Sequence, residues 1–206
     1  MPHHGAAPEG DDGRPGDDQL SDDELMRMFA RGDADAFDAL FDRWHVPVYN
    51  LGRHMLHDVT GAEEIMQETF MAVVRAAPRY EPRGLFRAWL MGITRNRCVN
   101  RLESERVRRT AIRESGMGVA DPPPRVEAPE TQAFADERTT RIRRAIAALP
   151  ARQREALVMY AFEDMPYAEI ARAMGVPLNT VKTLIHRARA ALAAELGTNR
   201  EKRDAV

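Results

Sequence analysis

Residues 178–196 read LNTVKTLIHRARAALAAEL. Wound as an α-helix with Val181 at the centre of one face, the stretch sets Leu184, Ile185, Ala188 and Leu192 beside it, in the i, i+3, i+4, i+7 pattern of a buried stripe. The opposite face then carries Asn179, Thr180, Thr183, His186, Arg187 and Ala190, with Lys182 and Arg189 at its edge and no acid before Glu195. One side is apolar, and the other is basic and able to hydrogen-bond.

Immediately upstream, residues 167–174 (YAEIARAM) form a shorter amphipathic helix ending at Gly175, a natural left-handed C-cap, and Val176 and Pro177 complete a tight turn. A helix, a glycine turn and a basic helix describe a helix-turn-helix, whose second helix can lie in the major groove of duplex DNA. A solvated helical hairpin is the bland alternative. The missing acids and the turn chemistry favour DNA.

At 206 residues, 44% hydrophobic and 30% charged, the chain is long enough for one or two globular domains. No apolar run approaches the roughly 18 residues of a membrane span, and the opening MPHHGAAPEG lacks a signal-peptide core. A single cysteine, Cys98, excludes an internal disulfide and any multi-cysteine metal site, and its apolar neighbours suggest a small packing residue. A soluble, cytoplasmic protein without cofactor is the expectation. The net charge of −2 hides an asymmetry, because residues 1–24 alone carry −7 and leave +5 for the rest. That acidic, Gly/Pro-rich leader reads as a disordered solubilising tail over 1–20.

The remainder shows helical rather than alternating periodicity, so the fold class is all-α. Ser21 and Glu24 suggest a capping box for a first helix, Asp35 a cap for the second, and Thr60 with Glu63 another box for the third. Pro47 is expected to interrupt or restart the second helix. The third helix buries Ile65, Met66, Thr69, Phe70, Val73 and Val74 and turns Glu63, Glu64, Gln67 and Glu68 outward. An acidic face is ordinarily only solvated.

A second basic element follows the loop PRYEPRG at 78–84. Residues 83–102 hold Arg83, Arg87, Arg95, Arg97 and Arg101 without an acid, and Arg97/Arg101 and Asn96/Asn100 are each one helical turn apart. Amides read base edges and arginines hold phosphates. Tyr80, Phe86 and Trp89 offer rings for stacking on unpaired bases, with the core as the competing place for Phe86 and Trp89.

The motifs GAEEIMQETF (61–70), FRAWLMGITRNRCVNRL (86–102) and LPARQREALVMYAFEDMPYAEIARAMGVPLNTVKTLIHRARAAL (149–192), in this order and spacing, resemble the extracytoplasmic-function group of bacterial sigma factors over about residues 33–196. The resemblance implies two small helical domains, region 2 at 21–113 and region 4 at 136–197, joined by a Pro-rich linker at 114–135 and followed by a tail at 198–206. It implies RNA polymerase core as a partner, gripped through Glu63, Glu64, Gln67 and Glu68. It also implies a loop (Tyr80, Arg83, Gly84) that captures a flipped base, and −10 readers among Arg87, Arg95, Asn96, Arg97, Asn100 and Arg101. For the −35 duplex the expected set is Arg187 on a base, Thr183 and His186 beside it, Lys182 and Arg189 on phosphates, and Asn179 and Thr180 at the helix start. Pro166 stands where the family commonly has a capping serine, and Asn179 is a candidate N-cap. An anti-sigma factor is the expected inhibitor.

The linker's 22 residues span ~26 Å as a coil and at most ~73 Å stretched. Promoter elements one and a half to two turns apart are ~50–70 Å from each other. In the free chain the two domains are therefore expected to collapse together. A one-component regulator is the rival class, distinguished by having no use for the arginine helix behind QETF. An enzyme is the weaker rival, since His54 and His57 lack a third metal ligand nearby and no phosphate loop or catalytic set is present.

Overall fold

The computed structural model describes residues 20–114 and 137–203, all helical apart from short connections: α1 Asp22–Ala30, α2 Ala34–Leu56, α3 Val59–Ala76, α4 Phe86–Glu114, α5 Glu137–Ala148, α6 Ala151–Ala161, α7 Tyr167–Met174 and α8 Leu178–Arg203. The expected leader, and the expected linker beyond Glu114, lie outside the described residues. No described helix is long and apolar enough to cross a membrane.

Local chemistry sets each helix start. At α1 the capping box is complete: the Ser21 hydroxyl accepts from the Glu24 N–H, and the Glu24 carboxylate accepts from the Ser21 N–H at 2.9 Å. Two expected caps are displaced. Asp33, not Asp35, caps α2 by accepting from the Ala36 N–H, and Asp58, not Thr60, caps α3 by accepting from the Gly61 N–H. In both cases an aspartate two residues earlier reaches the free amides first. Nor does Pro47 end α2, which runs unbroken from 34 to 56. An interior proline costs about 3 kcal/mol, but the fully buried Leu40, Val48, Leu51 and Met55 lie on both sides of it. Each contributes about 1.5–3 kcal/mol by burial, enough to offset that cost.

α1 to α4 enclose one core, in which Leu25, Met26, Leu40, Val48, Phe70, Val73, Phe86 and Leu90 meet. A second core joins the two helical units. Leu51, Met55, Ile65, Met91 and Cys98 from the first unit pack with Ile146, Val158, Met159, Met165, Ile170, Val181 and Ile185 from the second. α4 crosses α7 so closely that a Cβ on Gly92 would meet the Ala173 carbonyl oxygen at 3.2 Å. The helix-turn-helix is as expected: α7 ends in Gly175 at φ 63°, a left-handed cap suited to glycine, and α8 begins three residues later. Pro166 precedes α7 without a side-chain cap bond. Because α8 already starts at Leu178, Asn179 lies within its first turn rather than capping it, and the helical backbone continues to Arg203, past the expected start of the tail.

Candidate nucleic-acid and polymerase interfaces

On α8 the apolar stripe turns inward: Val181, Ile185 and Ala188 are buried. Asn179, Lys182, Thr183, His186, Arg187 and Arg189 are exposed, and Thr180 is half-buried. The Thr183 hydroxyl donates to the Asn179 carbonyl at 2.9 Å, which steadies the first turn. The Arg189 guanidinium lies 4.7 Å from the Tyr160 ring centroid, a cation–π contact that holds its stem against α6. None of Lys182, Arg187 and Arg189 is ion-paired among the described residues. The expected −35 residues thus form one open, unneutralised face.

The first unit is arranged differently. Glu63, Glu64, Gln67 and Glu68 are exposed on α3, as expected. The packing of α3 beside α4, however, joins this patch to the expected −10 set, for Arg97 lies 3.6 Å from Glu68, and Arg101 pairs with Glu64 and, at 3.9 Å, with Asp58. Asn100 is exposed beside them, while Asn96 accepts from Arg95 at 2.8 Å. The resemblance to sigma factors implied separate tasks for these groups. The fold makes them neighbours that hold one another's rotamers.

Four members of the expected −10 set are packed into the fold rather than left free. Phe86, expected to offer a ring for stacking, is instead 3% exposed and boxed in by Trp44, Tyr80 and Trp89 with ring centroids 5.7–6.1 Å away, so its ring faces the core rather than solvent. Half-buried Trp89 packs on Tyr80 and Phe86 as part of the same cluster. Arg95 is turned from solvent: its Nε donates to Glu155 of α6 at 2.7 Å, with the two side chains 14% and 2% exposed. Arg87 follows the same route, donating to the Glu163 carbonyl and lying 3.9 Å from Glu169 of α7. Sequence reasoning missed these carboxylate partners, which lie 60 and 82 residues along the chain from their arginines and left no local signal.

The seam between the units also holds groups whose protonation is set by burial. His54 stacks on Phe162 at 4.0 Å. His57, at φ 58° as the C-cap of α2, has its pKa pushed down to about 4, by burial first and then by Arg154. Burial pushes Glu163 up to about 7 despite Arg87 nearby. The two act oppositely on stability: a lowered His57 favours the folded chain as pH rises from 4 to 6.5, and a raised Glu163 favours it as pH falls from 7 to 4.5. Glu163→Gln should therefore unmask an acid-side loss that His57→Asn in the same background reduces, the remainder belonging to His54, whose pKa burial also lowers. After allowance for solvent screening at a half-buried ring, the difference should be on the order of 1–2 kcal/mol. Urea midpoints at pH 4.5, 5.5 and 6.5 measure it, and parallel profiles for the single and double variants would refute it. Among the described residues no group of three His, Cys, Asp or Glu side chains is placed to hold a metal ion.

Comparison with known proteins bears on this geometry. Residues 40–108 match Sigma-70 region 2, and residues 139–192 match Sigma-70, region 4. The ECF RNA polymerase sigma factor SigK of Mycobacterium sp. (strain KMS) is 33% identical over 163 residues, covering 78% of this chain and 83% of that protein. The chain belongs to the ECF family of RNA polymerase sigma factors. This sigma factor is also 32% identical to SigM of Mycobacterium tuberculosis (strain ATCC 25618 / H37Rv) over 179 residues, 87% of the chain and 86% of that relative. Among solved structures, CnrH in complex with the cytosolic domain of CnrY superposes with a TM-score of 0.63 at 25% identity, covering 86% of this chain and 97% of that one. The sigma factor RpoE of Bartonella quintana, solved with the anti-sigma factor NepR, shares the fold at a TM-score of 0.59 and 22% identity, covering 78% and 96%. The two matched regions fall one within each helical unit, and each takes in one of the two basic helices, in whole or in large part. Sigma factors serve in transcription initiation.

Proposed function

We propose that this sigma factor joins RNA polymerase core through Glu63, Glu64, Gln67 and Glu68, reads −35 duplex with α8, and holds an opened −10 strand along α4 and the loop at 80–85. The observation that carries this reading is the exposed face of α8, where Lys182, Arg187 and Arg189 present cations beside the polar Thr183 and His186 without a neutralising acid among the described residues. Arg187 stands at the centre of that face and is the base reader; Lys182 and Arg189, at its edges, meet phosphates.

The packed units suggest how activity is restrained. In this arrangement region 4 carboxylates occupy Arg87 and Arg95, so the −10 surface is only partly free, whereas the −35 face is open. Polymerase would hold the units apart, and an anti-sigma factor would act by favouring the packed form. CnrH and Bartonella RpoE are both solved as complexes, with CnrY and with the anti-sigma factor NepR, which supports an inhibitor of that kind here.

The decisive experiment is transcription from a promoter library by core polymerase with and without this protein, followed by footprinting of the start sites it enables. New starts with protection at both elements are expected; none in its presence would overturn the reading, as would duplex regulation without core association. On such a promoter Arg187→Ala should relax preference at one −35 position and cost about 1–3 kcal/mol, whereas Lys182→Ala should weaken all sequences alike and flatten the salt dependence. Binding of matched and scrambled duplexes at several salt concentrations separates the two, and an equal loss on both duplexes for Arg187→Ala would exclude base reading.

A further inference from the structure

The loop between α3 and α4 has little of its own to hold it beyond an exposed ion pair between Glu81 and Arg83. Among the described residues no backbone–backbone hydrogen bond begins or ends at residues 81–84, Pro82 has no N–H to give, and Gly84 sits at φ 65°, in the left-handed region. What spans the loop is one side chain from far upstream. Asp23, in the first turn of α1, accepts from the Tyr80 hydroxyl with one carboxylate oxygen at 2.6 Å and from the Gly84 N–H with the other at 2.5 Å. These bonds reach 57 and 61 residues along the chain. α1 is itself fixed, because Asp22 pairs with Arg43 of α2 at 2.6 Å and Leu25 and Met26 are fully buried.

We propose that Asp23 is a positioning residue for base capture: its carboxylate ties Tyr80 to Gly84 and so sets the width of the opening between them. The inference rests on the reading of residues 80–85 as the base-capturing loop. A helix acid whose only task was to favour the helix N-terminus would need no partners across the molecule. Here both oxygens are directed at donors on the two ends of one loop, and the Tyr80 ring they orient stands against Trp89 at 5.1 Å. A carboxylate has about four acceptor positions, so two bonds hold the loop and still leave Asp23 able to meet an amino group on an incoming base. Loss of Asp23 frees both ends at once, and the opening then no longer discriminates by shape.

The test uses holoenzyme, reconstituted from core polymerase and the full chain, on fork-junction DNA from a promoter at which the wild-type holoenzyme starts transcription. Each single-stranded −10 position is replaced in turn by the other three bases and by an abasic site. Asp23→Ala should reduce discrimination about tenfold at one position and leave the others, and the affinity for core, unchanged. Tyr80→Phe should weaken the same position less. Asp23→Asn should restore most of the preference, because its amide can accept from Gly84 while donating to the tyrosine oxygen. An equal loss at every position, or failure of Asp23→Asn to rescue, would mean that Asp23 serves the fold only. A wild-type preference that survives Asp23→Ala removes this inference alone. A wild-type holoenzyme indifferent to base identity at every position removes the loop reading, and this inference with it.

Discussion

Arg95→Ala should drive the two helical units apart. Glu155 is the deeper partner of the pair, at 2% exposure against 14% for Arg95, so removing the arginine strands a carboxylate that water can reach only if the seam opens. Stranding one partner of a buried pair costs about 3–5 kcal/mol. That corresponds to a shift of about 100- to 5,000-fold against the packed arrangement. Glu155→Ala should cost less, because the freed guanidinium is nearer the surface and can turn outward on its long stem. The double variant should be less destabilised than Arg95→Ala alone, since no uncompensated charge remains. Small-angle scattering and urea unfolding of the three variants measure this order. An Arg95→Ala chain with the wild-type scattering curve and an unchanged urea midpoint would show that the pair does not latch the seam.

Phe86→Ala should damage the fold rather than the contact with DNA. Truncating a buried phenylalanine costs about 3–5 kcal/mol, and Phe86 supports three rings at once: Trp44, Tyr80 and Trp89. For a chain of this length the melting temperature should fall by roughly 6–20 °C. Phe86→Leu keeps most of the volume and should cost less than about 1.5 kcal/mol, with strand binding by the holoenzyme close to wild type. A Phe86→Ala protein that melts as the wild type does but no longer holds a −10 strand would return the ring to the DNA surface.

These two residues show what could be read in advance. Helix spacing and the glycine stop located α7 and the inward and outward faces of α8, because a 3.6-residue period and a left-handed cap are local properties of the chain. The Ser21 cap was legible outright, but the caps of α2 and α3 only to within two residues, since Asp33 competes with Asp35, and Asp58 with Thr60, for the same free amides. Pro47 misled because a local rule yields where burial on both sides outweighs one missing hydrogen bond. Phe86 was ambiguous in principle, for an aromatic beside a basic run suits a core and a stacking platform equally. The partners of Arg87, Arg95 and Tyr80 were not legible at all: they lie 57 to 82 residues away in sequence and depend on how whole helices cross.

Cys98, the chain's only cysteine, is wholly buried in the core shared by the units, and its thiol is held near a pKa of about 12 by burial first and Glu155 next. Thiolate is the species that alkylating reagents attack, so the sealed sulfur reacts slowly and a rehydrated one, released from the Glu155 charge, reacts faster. The chain therefore carries its own unlabelled clock: the alkylation rate of a single atom reports how often the seam breathes, whether polymerase, an inhibitor or a lone substitution sets the pace.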